Sequence, residues 1–200
     1  TERHVADRLA DIVRRRFGHA AHVYERKANN SLHVSFGSDP VARFLRDHCG
    51  SGAANKRIPS WILYHRDDEI LRAFLRWYIA GDGTVRNRTV RFGTVSKTLG
   101  LQLQLAFARL GALVNIYKRA ATNGGRGIIG RWPLYVGHGS SVAVDVLRGI
   151  AREGGRATRY WGEHENGLVT PVVSVSAKKW HGAVFNFETE DHTYTAGNVV

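Results

Sequence analysis

"FLRWYIAGDGTV", residues 74–85, joins an apolar helical stripe to an acid flanked by two glycines. Leu75 and Ile79 have the spacing of one helical face, and the stripe continues to Gly81. Asp82 then falls where the negative end of the helix disfavours a carboxylate. The aspartate is therefore either a helix stop followed by a turn, or a group that faces something positive.

The composition is typical of a folded and strongly basic protein. Of its 200 residues 43% are hydrophobic, and 29 lysines and arginines against 17 acids give a net charge of +12. A pI near 10.4 indicates a polyanionic partner, nucleic acid before membrane. The single cysteine, Cys49, excludes an internal disulfide framework and predicts a cytoplasmic location. No apolar run reaches the roughly 18 residues of a membrane span, so no membrane partner is expected.

The chain contains an internal repeat. "RRFGHAAHVYERKA" at 15–28 aligns with "ARLGALVNIYKRAA" at 108–121, a separation of 93 positions. "LHVSFGSDPVARFLR" at 32–46 aligns with "LYVGHGSSVAVDVLR" at 134–148, a separation of 102 positions. Each copy predicts the order helix, strand, strand, helix.

The second copy is preceded by one more helix, which ends at Asp82, and by one more strand. With a separation of 93 positions, the matching acid of the first copy would lie upstream of Thr1. We therefore expect the first repeat to be truncated at its front, without its opening helix and strand.

These segments resemble a known family. "FLRWYIAGDG", followed by "TVSKTLGLQLQLAFARLG" and preceded by "NKRIPSWIL", is similar to the second motif block of a LAGLIDADG (dodecapeptide) homing endonuclease of the kind embedded in inteins. The resemblance covers residues 1 to about 165. It implies an α+β fold of mixed helices on antiparallel sheets, with two motif helices packed side by side. Trp77, Gly81 and Gly83 would lie where the motif helices meet, and Trp77 stands where the family usually has glycine.

The resemblance also implies a catalytic centre. Two motif carboxylates would meet at the floor of a DNA-binding saddle, where Mg²⁺ ions beside the scissile phosphates offset their repulsion. Asp82 would then be a magnesium ligand and a catalytic residue. Lys56, in "NKRIPSW", matches the basic catalytic position of the family. In the second repeat, Thr158 stands near the position of the matching lysine.

Double-stranded DNA at the intein-less site of the host gene is the expected partner. Antiparallel strands with a polar outer face can hydrogen-bond base edges in the major groove. The strand predicted over 86–92 places Asn87, Thr89 and Arg91 on one face. The residues expected to contact DNA are Arg86, Asn87, Arg88, Thr89, Arg91, Lys97, Lys118, Arg119, Arg126 and Arg131.

The tail resembles a different block. "GAVFNFETEDHTYTAGNVV", 182–200, is similar to the C-terminal splicing block of inteins, which belongs to the Hint domain. The matching positions include Val184, Asn186, His192 and Tyr194. The resemblance implies that His192 is catalytic and assists the branched intermediate or asparagine cyclisation by proton transfer. We expect the N-terminal intein portion in cis or in trans, and a host extein, as further partners.

The patterns together predict three parts. Residues 1–60 are the remainder of the first LAGLIDADG repeat, 61–168 the second repeat, and 169–200 C-terminal β-strands of the Hint domain. The leading hypothesis is an intein segment in which a site-specific homing endonuclease joins part of a self-splicing domain. This chain alone is expected neither to splice nor to cut DNA efficiently.

Two alternatives stay open. One is a degenerate LAGLIDADG domain that binds DNA without cutting it, which Trp77 favours. The other is a freestanding regulator or RNA maturase, which predicts no splicing block.

Overall fold

The computed structural model describes residues 3–26, 31–121, 123–124, 128–147, 162–164, 167–169, 172 and 174–183. They belong to two compact units, residues 1–50 and 51–200. Residue 60, where the sequence predicts the boundary between the two repeats, lies inside the second unit. The Lys56 carbonyl and the Ile58 N–H are hydrogen-bonded to Ser96 and Gln102 of that unit. The predicted splicing residues lie outside the described ranges: Val184, Asn186, His192 and Tyr194.

The first unit has the order predicted for the first copy of the repeat. Helix α1 (Arg3–Phe17) precedes the antiparallel strands β1 (His22–Arg26) and β2 (Ser31–Ser35), and helix α2 (Asp39–Cys49) follows. Ala6 and Val13 are buried on one face of α1. Serine before α2 and Pro40 in its first turn are typical of a helix start.

The second unit is built on a four-stranded antiparallel sheet with the order β3-β4-β8-β5. A 3-10 turn at Ala53–Asn55 precedes the helices α3 (Ser60–Leu63), α4 (Asp68–Asp82), α5 (Lys97–Arg109) and α6 (Ser141–Val146). The strands are β3 (Gly83–Arg86), β4 (Thr89–Thr94), β5 (Val114–Arg119), β6 (Asn123–Gly124), β7 (Ile128–Ile129), β8 (Leu134–Gly139), β9 (Gly162–His164) and β10 (Gly167–Val169). Among the described residues, no helix is long and apolar enough to cross a bilayer.

The two copies of the repeat share the turn that follows their first helix. Gly18 follows α1 with a φ of 69°, and Gly111 follows α5 with a φ of 82°. Glycine is favoured at a positive φ because it has no Cβ. The separation between matching positions of the two copies grows from 93 to 102 because the second copy is longer in its hairpin. The additional residues include the short strands β6 and β7, which follow β5 and precede β8 in the sequence.

The core of the second unit lies between one face of the sheet and the helices. Helix α5 buries an apolar stripe with helical spacing, namely Leu99, Leu103, Ala106 and Phe107. The rings of Phe92 on β4 and Phe107 stack with their centroids 6.4 Å apart. Gly137 on β8 leaves room for this stack, since an added Cβ would overlap the ring of Phe92. Close packing of this kind holds α5 against the sheet.

The hairpin between β3 and β4 corrects the predicted strand. The sequence predicts one strand over 86–92, but Asn87 and Arg88 form a two-residue turn with φ values of 49° and 54°. Two successive positive φ values give a turn whose twist matches that of the flanking strands. The Thr89 hydroxyl donates a hydrogen bond of 2.7 Å to the Arg86 carbonyl across the turn. Asn87 therefore lies at the hairpin tip and not on the strand face.

Residues 172 and 174–183 form neither helix nor strand, although the sequence predicts β-strands there. Val172 and Val175 are 78% and 89% exposed. A strand is stable where a neighbouring strand pairs its backbone groups. Within the described ranges no strand pairs with this segment, so its β-rich composition alone does not make it a strand.

Candidate functional site

Asp82 and Lys56 lie together at the exposed end of helix α4. Lys56 Nζ lies 3.7 Å from Asp82 Oδ2, and the two side chains are 53% and 60% exposed. The ammonium group offsets the negative end of the helix beside the carboxylate. An ion pair this exposed contributes only about 0–1 kcal/mol to stability. Folding stability therefore depends little on this pair.

The local sequence fixes where Asp82 lies. Helix α4 begins at the Asp67 cap, whose carboxylate accepts a hydrogen bond of 2.9 Å from the Glu69 N–H. It ends at Gly83, where an added Cβ would come within 2.9 Å of the Ile79 backbone. The chain turns from α4 into β3 at this glycine, so Asp82 is held at the junction of helix and sheet.

The side of α4 away from the core is apolar and exposed. Ile70 and Trp77 are 43% and 49% exposed, and Gly81 lies one turn beyond Trp77 on the same face. Apart from its two chain neighbours and the backbone of α4, no atom of the described residues lies within 4 Å of a Cβ built on Gly81. The packing of the second unit therefore requires glycine at position 83, whereas Gly81 and Trp77 lie on the surface of that unit.

Tyr78 lies on α4 beside the site. Its ring stacks on Phe74 with centroids 6.3 Å apart and meets Phe92 edge-on at 6.1 Å. Burial, and secondly the negative charge of Asp82, raise the pKa of Tyr78 to about 12. The hydroxyl is therefore uncharged at neutral pH.

This raised pKa predicts a loss of stability in alkali. Between pH 10 and about 12 the unfolded tyrosine loses its proton while the folded one keeps it, so the free energy of unfolding falls as pH rises. We expect the difference in this free energy between wild type and Tyr78→Phe to change by about 2 kcal/mol over that interval. Urea unfolding of both proteins at pH 8, 10 and 12 measures it. Parallel curves for the two proteins would contradict the assignment.

A row of polar side chains crosses the sheet on the face away from the helices. The register pairs Thr84 with Arg91, Arg91 with His138, and His138 with Asn115. Directly opposed residues of antiparallel strands share a face. Thr84, Arg91 and Asn115 are exposed and His138 is half-buried. All four strands therefore contribute to one row.

His138 is the most enclosed member of this row. Burial, and secondly the guanidinium of Arg91, lower its pKa. Its Nε2 atom is buried and has no hydrogen-bond partner among the described residues. The imidazole is thus neutral at neutral pH, with one ring nitrogen that donates and one that accepts.

The sequence did not identify three members of this row as site residues. Thr84, Asn115 and His138 were missed because they become members of one row only through strand pairing. Thr84 pairs with Arg91, and the position of β8 between β4 and β5 adds His138 and Asn115. The available signal was the polar alternation along β5, where Asn115, Tyr117 and Arg119 share a face.

The predicted DNA contacts fall in different places. Lys118 alternates with Arg119 and so lies on the opposite side of β5. Arg88 forms an ion pair with Asp145 of α6, with Nη2 and Oδ1 3.2 Å apart. Lys97 is exposed at the start of α5. Arg131 is exposed three residues before β8, and Arg126 lies outside the described residues. Four predicted contacts share the exposed sheet face: Arg86, Thr89, Arg91 and Arg119.

Asp82 also defines what metal chemistry the site allows. Within the described part of the chain, no group of three or more His, Cys, Asp or Glu side chains could hold a metal ion. Mg²⁺ keeps several waters and is usually bound by one or two carboxylates together with substrate phosphates. A single exposed carboxylate therefore fits as a partial magnesium ligand that DNA would complete.

Comparison with known proteins finds a family match in the central part of the chain. Residues 69–149 match the LAGLIDADG-like domain. The chain is 31% identical over 213 residues to the ATP-dependent DNA helicase Hel308 of Thermococcus kodakarensis, covering 100% of the chain and 19% of that protein. It is 31% identical over 152 residues to the iron-sulfur cluster assembly SufBD family protein Mb1496 of Mycobacterium bovis, covering 74% and 17%.

A third relative extends the same pattern. The uncharacterized protein MJ0043 of Methanocaldococcus jannaschii is 24% identical over 201 residues, covering 95% of the chain and 24% of that protein. The chain thus spans a quarter or less of the length of these relatives. The matched family segment contains Asp82, the four-stranded sheet and helix α5. The match of residues 69–149 to the LAGLIDADG-like domain supports a LAGLIDADG homing endonuclease domain in this chain.

Proposed function

We propose that this chain contributes one half of a homing endonuclease, which hydrolyses phosphodiester bonds in both strands of a specific DNA site. The Lys56–Asp82 pair at the end of the motif helix carries the proposal. An acid and a base held 3.7 Å apart, both open to solvent, are suited to act on a bound phosphate. The second half supplies the matching acid from a helix that packs on the exposed face of α4.

Each residue of the pair has a separate task. Asp82 would hold Mg²⁺ against the scissile phosphate, and the bound ion supplies electrostatic stabilisation of the charge that develops there. Lys56 offsets phosphate charge or polarises the attacking water, because its ammonium group lies beside the carboxylate. Lys56 lies on a loop next to the end of α4, and its side chain is 53% exposed, so it is open to a ligand from solvent.

The exposed sheet face is the proposed DNA-binding surface. It presents Arg86, Arg91 and Arg119 around the row of polar residues. Arginines bind phosphates and guanine edges, while Asn115 and His138 offer donors and acceptors to other bases. The net charge of +12 favours association with DNA along this surface.

A pair of arginine substitutions tests this surface. Arg91→Gln is expected to weaken binding to a duplex of the uninterrupted host sequence by about 1–3 kcal/mol. Arg88→Gln is the matched control. Arg88 lies only three residues before Arg91, in the turn between β3 and β4, but it pairs with Asp145. Fluorescence anisotropy over a salt series measures both variants. Equal losses for the two arginines would argue against binding through this face.

A second candidate function is DNA binding without cleavage. Trp77 favours it, since this bulky ring lies 49% exposed on the α4 face where the partner helix would approach. Closely packed interfaces tolerate a large side chain poorly when a small one is expected. This candidate keeps the DNA-binding surface and removes only the catalytic step.

We also propose that the chain is part of an intein in cytoplasmic proteins. Its relatives carry unrelated names, yet each resembles most of this chain over a quarter or less of its own length. A segment inserted into different host proteins produces this pattern. His192 would then assist splicing by proton transfer. Mass spectrometry of the expressed host gene tests this, and a host protein found only with the segment retained would contradict it.

A further inference from the structure

Side chains of helix α5 hold the loop that carries Lys56. The Ser96 hydroxyl donates a hydrogen bond of 2.6 Å to the Lys56 carbonyl. The Gln102 amide accepts a bond of 2.7 Å from the Ile58 N–H and donates one of 3.2 Å to the Ile58 carbonyl. The backbone is thus fixed at Lys56 and again two residues later.

This loop depends on side chains for its hydrogen bonds. Lys56 and Ile58 belong to no helix or strand, so regular backbone pairing does not satisfy their peptide groups. Ile58 is 1% exposed and packs in the core of the second unit. Gln102 therefore fixes the backbone beside a buried anchor, whereas the Lys56 side chain itself is exposed.

The same helix holds the chain further along. Arg109 donates hydrogen bonds to the carbonyls of Leu63 and His65. Ser96, Gln102 and Arg109 together attach the segment from Lys56 to His65 along the length of α5. Ser96 also caps α5 by accepting a hydrogen bond of 3.2 Å from the Leu99 N–H, so its substitution would disturb both the helix start and the Lys56 loop. Gln102 makes no helix-capping bond, so its substitution tests the attachment of the loop alone.

We propose that Gln102 is a positioning residue that holds Lys56 opposite Asp82. The inference rests on the proposed nuclease function. Gln102 belongs neither to the Lys56–Asp82 pair nor to the proposed DNA-binding surface. A lysine side chain has many rotamers, so its charge is well placed only if its backbone is fixed. The two bonds from Gln102 to Ile58 provide that fixed backbone.

The variant Gln102→Met tests this role, because methionine keeps the length of the side chain and removes both hydrogen-bonding groups. Gln104→Met is the matched control on the same helix. Gln104 donates a bond of 2.9 Å to the Val114 carbonyl of β5, away from the Lys56 loop. Thermal unfolding of both variants shows that they are folded. Gln102→Glu, which keeps the acceptor for Ile58 N–H, is the conservative variant.

The first readout does not need cleavage. A carbodiimide joins a lysine to a carboxylate only when the two are in contact, so the yield of the Lys56–Asp82 cross-link reports their proximity. We expect Gln102→Met to lower this yield several-fold, Gln102→Glu to restore part of it, and Gln104→Met to leave it unchanged. An unchanged yield in Gln102→Met, or an equal loss in Gln104→Met, would overturn the proposal.

The second readout is cleavage by the full-length protein. We expect Gln102→Met to slow single-turnover cleavage about tenfold at unchanged DNA affinity, and to have no further effect in a Lys56→Met background. A further loss in that background would show that Gln102 acts elsewhere and would overturn the proposal. If no protein in the series cuts DNA, the proposed function fails, while the cross-link still decides whether Gln102 positions Lys56.

Discussion

Replacing Asp82 by asparagine is expected to slow double-strand cleavage by the full-length protein at least about a hundredfold, while DNA affinity stays within a few-fold. Asparagine keeps the shape of the side chain and removes its charge. In the proposed centre this charge holds a divalent ion and faces Lys56, whose Nζ lies 3.7 Å away. We expect DNA affinity to depend instead on the arginines of the sheet face.

The matched control for this substitution is Asp145→Asn. Asp145 is as exposed as Asp82, at 60%, and also pairs with a basic side chain, Arg88. It lies on α6, away from the proposed centre, so its loss should leave the cleavage rate nearly unchanged. Single-turnover cleavage and gel-shift assays measure both variants. A nuclease indifferent to Asp82→Asn would refute the metal-site assignment.

The same assays separate cleavage from the binding-only alternative. That alternative predicts a wild type that binds DNA and never cuts, because Trp77 prevents the motif helices from approaching. Trp77→Gly would then restore some cleavage. A wild type that cuts would show that the exposed tryptophan is tolerated.

Removal of the Phe107 ring is expected to cost about 3–5 kcal/mol of folding stability. Phe107 is 0% exposed and stacks on Phe92, so alanine leaves a cavity between α5 and the sheet. The surrounding strands fill such a cavity only partly, because Gly137 provides no side chain to move into it. Chemical denaturation followed by circular dichroism measures the change in the free energy of unfolding.

Tyr117→Ala is the control for this substitution in the same unit. Tyr117 is 53% exposed on β5, and its loss should cost about 1 kcal/mol or less. Equal destabilisation by the two substitutions would contradict a core centred on α5 and the sheet.

Helices were predictable from the sequence because their apolar spacing is local. The stripe of α5, from Leu99 to Phe107, is buried as the spacing predicts. In α4 the buried apolar positions are Leu71, Leu75 and Ile79, whereas Ile70, the neighbour of Leu71, is 43% exposed. A core-facing stripe covers only part of the helix circumference, so residues at its rim remain exposed.

The pairing of distant strands was not predictable from local patterns. His138 and Asn115 become neighbours of Arg91 only because β8 lies between β4 and β5. The prediction of one strand over 86–92 was wrong because Asn87 and Arg88 form a turn with positive φ values. Such turns usually contain glycine, and this one does not, so the sequence contains no such turn signal. Arg88 additionally contacts Asp145 of α6, a residue 57 positions away in sequence.

The acid and base of the site were identified from the family resemblance, and the structure adds how they meet. Nothing in the local pattern around Lys56 places it beside Asp82. The contact arises because α5 lies next to both segments and binds the Lys56 loop through Ser96 and Gln102. This juxtaposition is a property of the folded unit and not of either motif alone.

We propose that Asp82 and Lys56 form one half of a DNA-cutting centre. The most direct measurement incubates the full-length protein and Mg²⁺ with a duplex that carries the uninterrupted host sequence around the insertion point, and maps the products on both strands. We expect that both strands are cut at one place, that a chelator abolishes the cutting, and that Asp82→Asn leaves the duplex bound but intact. Uncut DNA at saturating wild-type protein, or equal cutting by Asp82→Asn, would contradict it.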